Sequence, residues 1–143
     1  MDADVKRLAL ERALLSAMGA AGEMQWGKDD CALWCANILK EALGYDGAAR
    51  FRGRYRSRSG AKRVLGQNGL GAALKAAARK HKWRRIKIGQ EQVCDIGLLM
   101  LLETPVTVIC RAPGWFVARN ENGWSAMPSN LVRIVWSAVQ DAS

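Results

Sequence analysis

One cysteine in this chain stands where a nucleophile is usually built. The segment Trp26-Gly27-Lys28-Asp29-Asp30-Cys31 runs into the apolar stretch Ala32 to Leu43, and Gly44 follows. Asp29 or Asp30 can cap a helix here by accepting backbone N–H bonds, and Gly44 suits a left-handed stop after Leu43. Cys31 then falls in the first helical turn, where the positive end of the helix dipole favours a thiolate. The two aspartates oppose that shift. The alternative is a buried structural cysteine, the commoner state of this residue type.

Three further cysteines, Cys35, Cys94 and Cys110, could join Cys31 in a second kind of chemistry. Cys31 and Cys35 lie one helical turn apart, and four thiolates suit zinc or an iron–sulfur cluster. The spacing is not a CxxC pair, so free buried thiols and no cofactor are the expectation. The one histidine, His81, closes an alanine-rich stretch among lysines and arginines. It reads as an exposed helix-end residue and a weak candidate for a general base.

The third feature is charge. The chain carries 22 Lys and Arg against 13 Asp and Glu, a net +9. Arg50, Arg52, Arg54, Arg56 and Arg58 occupy alternate positions, with Phe51 and Tyr55 between them; a second run is Arg79, Lys80, Lys82, Arg84, Arg85 and Lys87. Mixed arginine and aromatic residues can bind single-stranded nucleic acid. They can equally face acidic protein partners or only solvent.

These residues need elements to position them. Val5 to Met18 reads as a helix, with Val5, Leu8, Arg12 and Leu15 in one stripe that Leu10, Leu14 and Met18 widen. Asp30 to Leu43 is the cysteine helix. Gly44 to Gly60 lacks the apolar content of a core helix and reads as strand or loop, anchored by Phe51 and Tyr55. Ala61 to Leu65 suits a short helix, and Gly69 to Lys80 a longer one of high propensity. The pattern then turns β-branched and aromatic: Trp83 to Ile88, Asp95 to Leu102, Val106 to Cys110, Trp115 to Arg119, Trp124 to Met127 and Leu131 to Val135 read as strands. Asn120 to Gly123 is a turn by composition. Helices followed by an antiparallel meander argue for an α+β domain.

The 143 residues suit one domain, 1–143, with a real core. No apolar run reaches the ~20 residues of a membrane span. The N-terminal residues lack a signal-peptide core, so synthesis in a reducing cytoplasm is expected, with the cysteines as free thiols.

A cysteine helix ahead of an antiparallel sheet is the papain-like layout. Trp26-Gly27-x-x-Asp30-Cys31, Arg52-Gly53-Arg54-Tyr55, Gly60-Ala61, Cys94-Asp95-Ile96, Gly123-Trp124 and Trp136 occur in the order that resembles the NlpC-type cell-wall cysteine peptidases. Within them the likeness is to a branch of short proteins encoded among the tail-tip genes of tailed phages and prophages. That resemblance implies a papain-like α+β fold, Cys31 at the nucleophile position and a structural role for Asp95. It marks Trp26, Asp30, Arg52, Arg54 and Tyr55 as binding-side candidates. It also implies a place in the virion tail after synthesis in the host bacterium, with other tail-tip proteins as partners and peptidoglycan as the substrate class of any activity. Two positions depart from the pattern. Cys94 replaces a glycine, and Pro105-Val106-Thr107 stands where the superfamily places its histidine base. General-base assistance is worth about 100-fold to 10,000-fold, so the expectation is a peptidase-like fold with little or no peptidase activity and a mainly structural role.

Overall fold

A computed structural model describes residues 2–66, 69–102 and 104–139. Four helices come first: α1 (Ala3–Ala20), α2 (Trp34–Leu43), α3 (Arg58–Leu65) and α4 (Gly69–Lys80). Six strands follow: β1 (Arg84–Ile86), β2 (Ile96–Leu101), β3 (Thr104–Ala112), β4 (Trp115–Arg119), β5 (Trp124–Pro128) and β6 (Ile134–Ser137). This is the α+β architecture the pattern implied. Among the described residues no helix is long and apolar enough to cross a membrane.

The sheet runs in the order β1-β6-β2-β3-β4-β5, with every pair antiparallel. Strands β2 to β5 form the expected meander. The last strand does not extend it: β6 crosses back and inserts between β1 and β2. The expected final strand, Leu131 to Val135, is also shifted, because Ser129–Leu131 closes a short 3-10 turn before β6 begins at Ile134. The Trp83 to Ile88 strand shrinks to the three residues of β1, limited to the length of its pairing with β6.

Strand alternation sends side chains to two cores. Thr107, Ile109 and Val117 point towards α1 and α2; Ile109 and Val117 pack there with Leu10, Leu14, Trp34 and Ile38. Val106, Val108, Cys110, Phe116 and Ala118 pack on the opposite side with Val132 and Val135. A further cluster joins Leu33, Phe51, Tyr55, Leu65, Leu70 and Trp136, and so fixes α3 and α4 beside the cysteine helix.

Helix α1 corrects the sequence reading. Its buried residues are Leu10, Ala13 and Leu14. The stripe Val5, Leu8, Arg12 and Leu15 lies on the outer face, with Val5, Leu8 and Leu15 all among the exposed large apolar residues. The helix is apolar on two opposite sides, and packing against α2 and the sheet chose the one with the smaller side chains.

Candidate functional site

Asp30 organises the approach to Cys31. Its buried carboxylate accepts four hydrogen bonds: Gly27 N–H at 2.8 Å, Ala32 N–H at 2.9 Å, Leu33 N–H at 3.0 Å and the Tyr55 hydroxyl at 2.8 Å. Asp30 thereby closes the turn of residues 31–33, while α2 itself begins at Trp34 with Leu33 at its N-cap and no side-chain cap, so Cys31 lies ahead of the helix and not in its first turn as expected. Trp34 N–H then bonds the Asp30 carbonyl at 2.9 Å, and Gly44 closes the other end of α2 in the left-handed region at φ 83°.

Trp-Gly-x-x-Asp-Cys and Arg-Gly-Arg-Tyr prove to be two halves of one clasp. Gly53 N–H bonds the Gly27 carbonyl at 2.9 Å, while Tyr55 reaches Asp30. Gly27 has φ +85°, and a Cβ there would lie 2.2 Å from the Tyr55 carbonyl oxygen. Only glycine fits both the conformation and the space. Arg52 binds Asp46 through a two-point ion pair and also donates to Asn37 on α2, tying the loop after α2 back onto that helix. Of the binding-side candidates, Asp30, Arg52 and Tyr55 therefore hold the structure together. Arg54 is exposed, and Trp26 faces the cleft described next.

Cys31 lies at a cleft of about 420 Å³. The cleft sits where β2 and β4 end and β3 and β5 begin. Trp26, Leu65, Pro105, Val106 and Met127 make much of it apolar, and α3 adds Arg58 and Lys62. Buried Arg119 steadies one wall: it pairs with Asp29 at 3.0 Å and donates to the carbonyls of Gly22, Asn120 and Gly123.

The Cys31 thiol is not activated. Burial and then the negative charge of Asp30 push its pKa up to about 11, against a weaker pull from its own backbone N–H and from Arg58. The balance left open by the sequence falls on the side of the thiol. At pH 7 only about one molecule in ten thousand carries a thiolate at such a pKa.

The position expected to hold a base is filled by Thr107, and that side chain is already engaged. Its hydroxyl lies 3.2 Å from both the Cys31 and Ala32 carbonyl oxygens and donates to them, while its N–H bonds the Cys31 carbonyl at 3.3 Å. Thr107 thus pins the cysteine turn onto β3. His81 cannot replace a base there. Its ring stacks on Tyr45, with centroids 3.6 Å apart, just beyond the C-terminal end of α2. Cys31 precedes the opposite end of that ten-residue helix, roughly 15 Å away along the axis.

The four cysteines do not share a site. Cys35 and Cys94 belong to the core beneath α1 and α2, whereas Cys110 belongs to the opposite core and Cys31 packs against it. Among the described residues no group of three His, Cys, Asp or Glu side chains is placed to hold a metal ion. Cys94, which stands where the resemblance expects a glycine, has φ +72°, in the left-handed region that favours glycine. Asp95 is buried and structural, accepting from Gln92 N–H at 2.8 Å and facing Arg7 at 3.6 Å. In the arginine stretch Phe51 and Tyr55 are core residues, so neither is a free platform for stacking bases.

Sequence reasoning missed two structural side chains. Glu91 is buried and accepts from Gly89 N–H, Gly114 N–H and the Ser129 hydroxyl at 2.7 to 2.9 Å, stapling three loops at the far end of the sheet. Nothing local to Glu91 announces this. Arg119 did carry a signal, as a charged residue ending a buried strand beside the Asn120 to Gly123 turn.

No curated protein matches the chain. A family model described as a domain of unknown function (DUF6950) matches residues 6–138. That match runs from within the first turn of α1 through β6, and the chain belongs to the DUF6950 family.

Proposed function

We propose that this chain is a non-hydrolytic domain on a papain-like, NlpC-type plan, serving as a tail-tip component of a phage or prophage. Its cleft holds a segment of a neighbouring tail protein without cleaving it. The observation that carries the non-hydrolytic reading is Thr107: the base position holds a hydroxyl that is spent on the carbonyls of Cys31 and Ala32. The raised pKa of Cys31 supports the same reading. The tail-tip assignment rests on the motif order Trp26 to Cys31, Arg52 to Tyr55 and Cys94-Asp95.

The cleft remains large enough to accept side chains of a partner, at a volume within the range of ordinary ligand sites. Arg58 and Lys62 suit a segment with an acidic residue beside its apolar ones. Two experiments test the reading. Incubation with peptidoglycan fragments should release no peptide, from either the parent or a Cys31→Ser variant. Hydrolysis by the parent that disappears in the variant would establish a thiol peptidase instead. Tails purified from a phage carrying the gene should contain the chain at fixed copy number, and tails that lack it remove the tail-tip role.

A further inference from the structure

The sheet ends in two different edges. Strand β1 is three residues long and carries Arg84 and Arg85, with Lys87 just beyond; short length and charge keep an edge from pairing. Strand β5 has no such guard. Its five residues, Trp124-Ser125-Ala126-Met127-Pro128, include no charged side chain, and proline stands only at the end. Ala126 is exposed and small, so it does not cover the backbone beside it.

The β4–β5 ladder shows which backbone groups are open. Asn120 N–H bonds the Gly123 carbonyl and Ser129 N–H the Gly114 carbonyl, both at 3.0 Å, at the two ends of the ladder. Bonded pairs alternate in between, so in this register Ser125 bonds Ala118 and Met127 bonds Phe116. Trp124 and Ala126 therefore turn their N–H and carbonyl groups outward. No hydrogen bond among the described residues reaches those four groups. Side chains alternate as well. Ser125 and Met127 line the Cys31 cleft, while Trp124 projects on the opposite face, 42% exposed.

We propose that the partner segment enters as an added strand along β5, pairing with Trp124 and Ala126 while every second side chain falls into the cleft beside Ser125 and Met127. This rests on the reading of the cleft as a site that holds a peptide, and it specifies how that peptide lies. Open backbone donors and acceptors in a row fit an extended chain, whose own backbone supplies the matching groups. An added strand lies ~4.8 Å beyond β5, so its inward side chains continue the apolar floor of Val106, Ala118 and Met127. Arg58 and Lys62 of α3 line the same cleft and select an acidic residue at one inward position. The partner is an alternating segment with apolar residues and an acid on one face. A residue of its other face gains a cross-strand contact with the Trp124 ring.

A random-peptide library selected on the full chain under reducing conditions supplies the probe. Enriched peptides should alternate apolar and polar residues, with an acid in the apolar set; enrichment without an acid overturns the assigned chemistry. With an enriched peptide bound, hydrogen exchange of the Trp124 and Ala126 amides should slow about tenfold or more. Ser125 and Met127, already bonded to β4, should change little. N-methylation scanned along the peptide should weaken binding at alternate positions, by about tenfold per lost bond. Ala126→Pro removes an outward N–H and no ladder bond, and should weaken binding by a similar factor with its circular dichroism unchanged. The scan leaves the protein untouched and decides the matter if that variant does not fold. A library that yields no binder overturns the proposal. So does a bound peptide that protects neither amide and shows no alternation; if Lys62→Glu still weakens its binding, the cleft reading stands without the added strand. Protection of both amides in the chain alone, growing with concentration, would place a second copy on the edge and would also overturn it. Cleavage of the peptide by the parent but not by Cys31→Ser would overturn the non-hydrolytic reading and leave the added strand intact.

Discussion

Replacing Thr107 with valine removes one hydroxyl and keeps the shape of the side chain. In the folded chain that hydroxyl lies 3.2 Å from two carbonyl oxygens, of Cys31 and of Ala32, at a buried position. The Cys31 carbonyl keeps the Thr107 N–H at 3.3 Å; the Ala32 carbonyl loses its link to β3. A net hydrogen bond is worth about 1 kcal/mol, and a buried acceptor left short of a partner raises the cost to about 1–2 kcal/mol. For a domain of 143 residues that corresponds to a fall in Tm of roughly 3 to 7 °C. Urea unfolding measures the free energy, with Thr107→Ser as the control that keeps the hydroxyl and removes the methyl. The clamp also holds the cysteine turn against β3, so Cys31 should react faster with iodoacetamide in Thr107→Val than in the parent. Unchanged stability together with unchanged thiol reactivity would refute the assignment of Thr107 as a clamp.

Three further perturbations follow from the same geometry. Gly27→Ala forces a Cβ to within 2.2 Å of the Tyr55 carbonyl at φ +85°, and should cost about 3 kcal/mol or more, read as loss of soluble folded protein. At Cys94, φ +72° strains any Cβ, so Cys94→Gly should be about 1 kcal/mol more stable than Cys94→Ala in urea unfolding; equal stabilities would mean the strain is relieved elsewhere. Burial pushes the Glu91 carboxyl up, but the Ser129 hydroxyl and the backbone N–H groups of Gly89 and Gly114 outweigh it and hold the pKa below its ordinary value. A depressed folded pKa stabilises above the unfolded pKa, and that stability is lost as pH falls through the folded value. Glu91→Gln should therefore be about 1–3 kcal/mol less stable than the parent at neutral pH, with a gap that narrows in acid; a gap that widens in acid would contradict the staple.

Local signals in the sequence reached the cysteine turn, and non-local ones did not reach the rest. Asp30 was legible as an acceptor for backbone N–H groups two and three residues on, but the helix starts later than expected, at Trp34, because those N–H groups close a turn ahead of it. Gly27 and Tyr55 were legible as motif residues, but their contact was not, since it joins segments more than 25 positions apart. The resemblance alone pointed to Pro105 to Thr107 as a base position, whereas the use of Thr107 as a clamp depends on where the cysteine turn lands on β3. The insertion of β6 between β1 and β2 leaves no local mark: an antiparallel strand has the same alternation whether it extends a meander or returns across the sheet. Helix α1 misled because its two apolar faces have the same period, and only packing decides between them. Glu91 stayed invisible because its three donors come from three different loops.

The central claim is that Cys31 occupies a nucleophile position without being a nucleophile. The direct measurement is the rate of Cys31 alkylation by iodoacetamide against pH, with Cys31→Ser giving the background from Cys35, Cys94 and Cys110. Burial and Asp30 place the pKa at about 11. The rate should rise about tenfold per pH unit from neutral pH to about pH 10 without levelling, as expected while the thiolate is the minor form. A plateau near or below pH 8 would reveal an activated thiolate and would contradict the account.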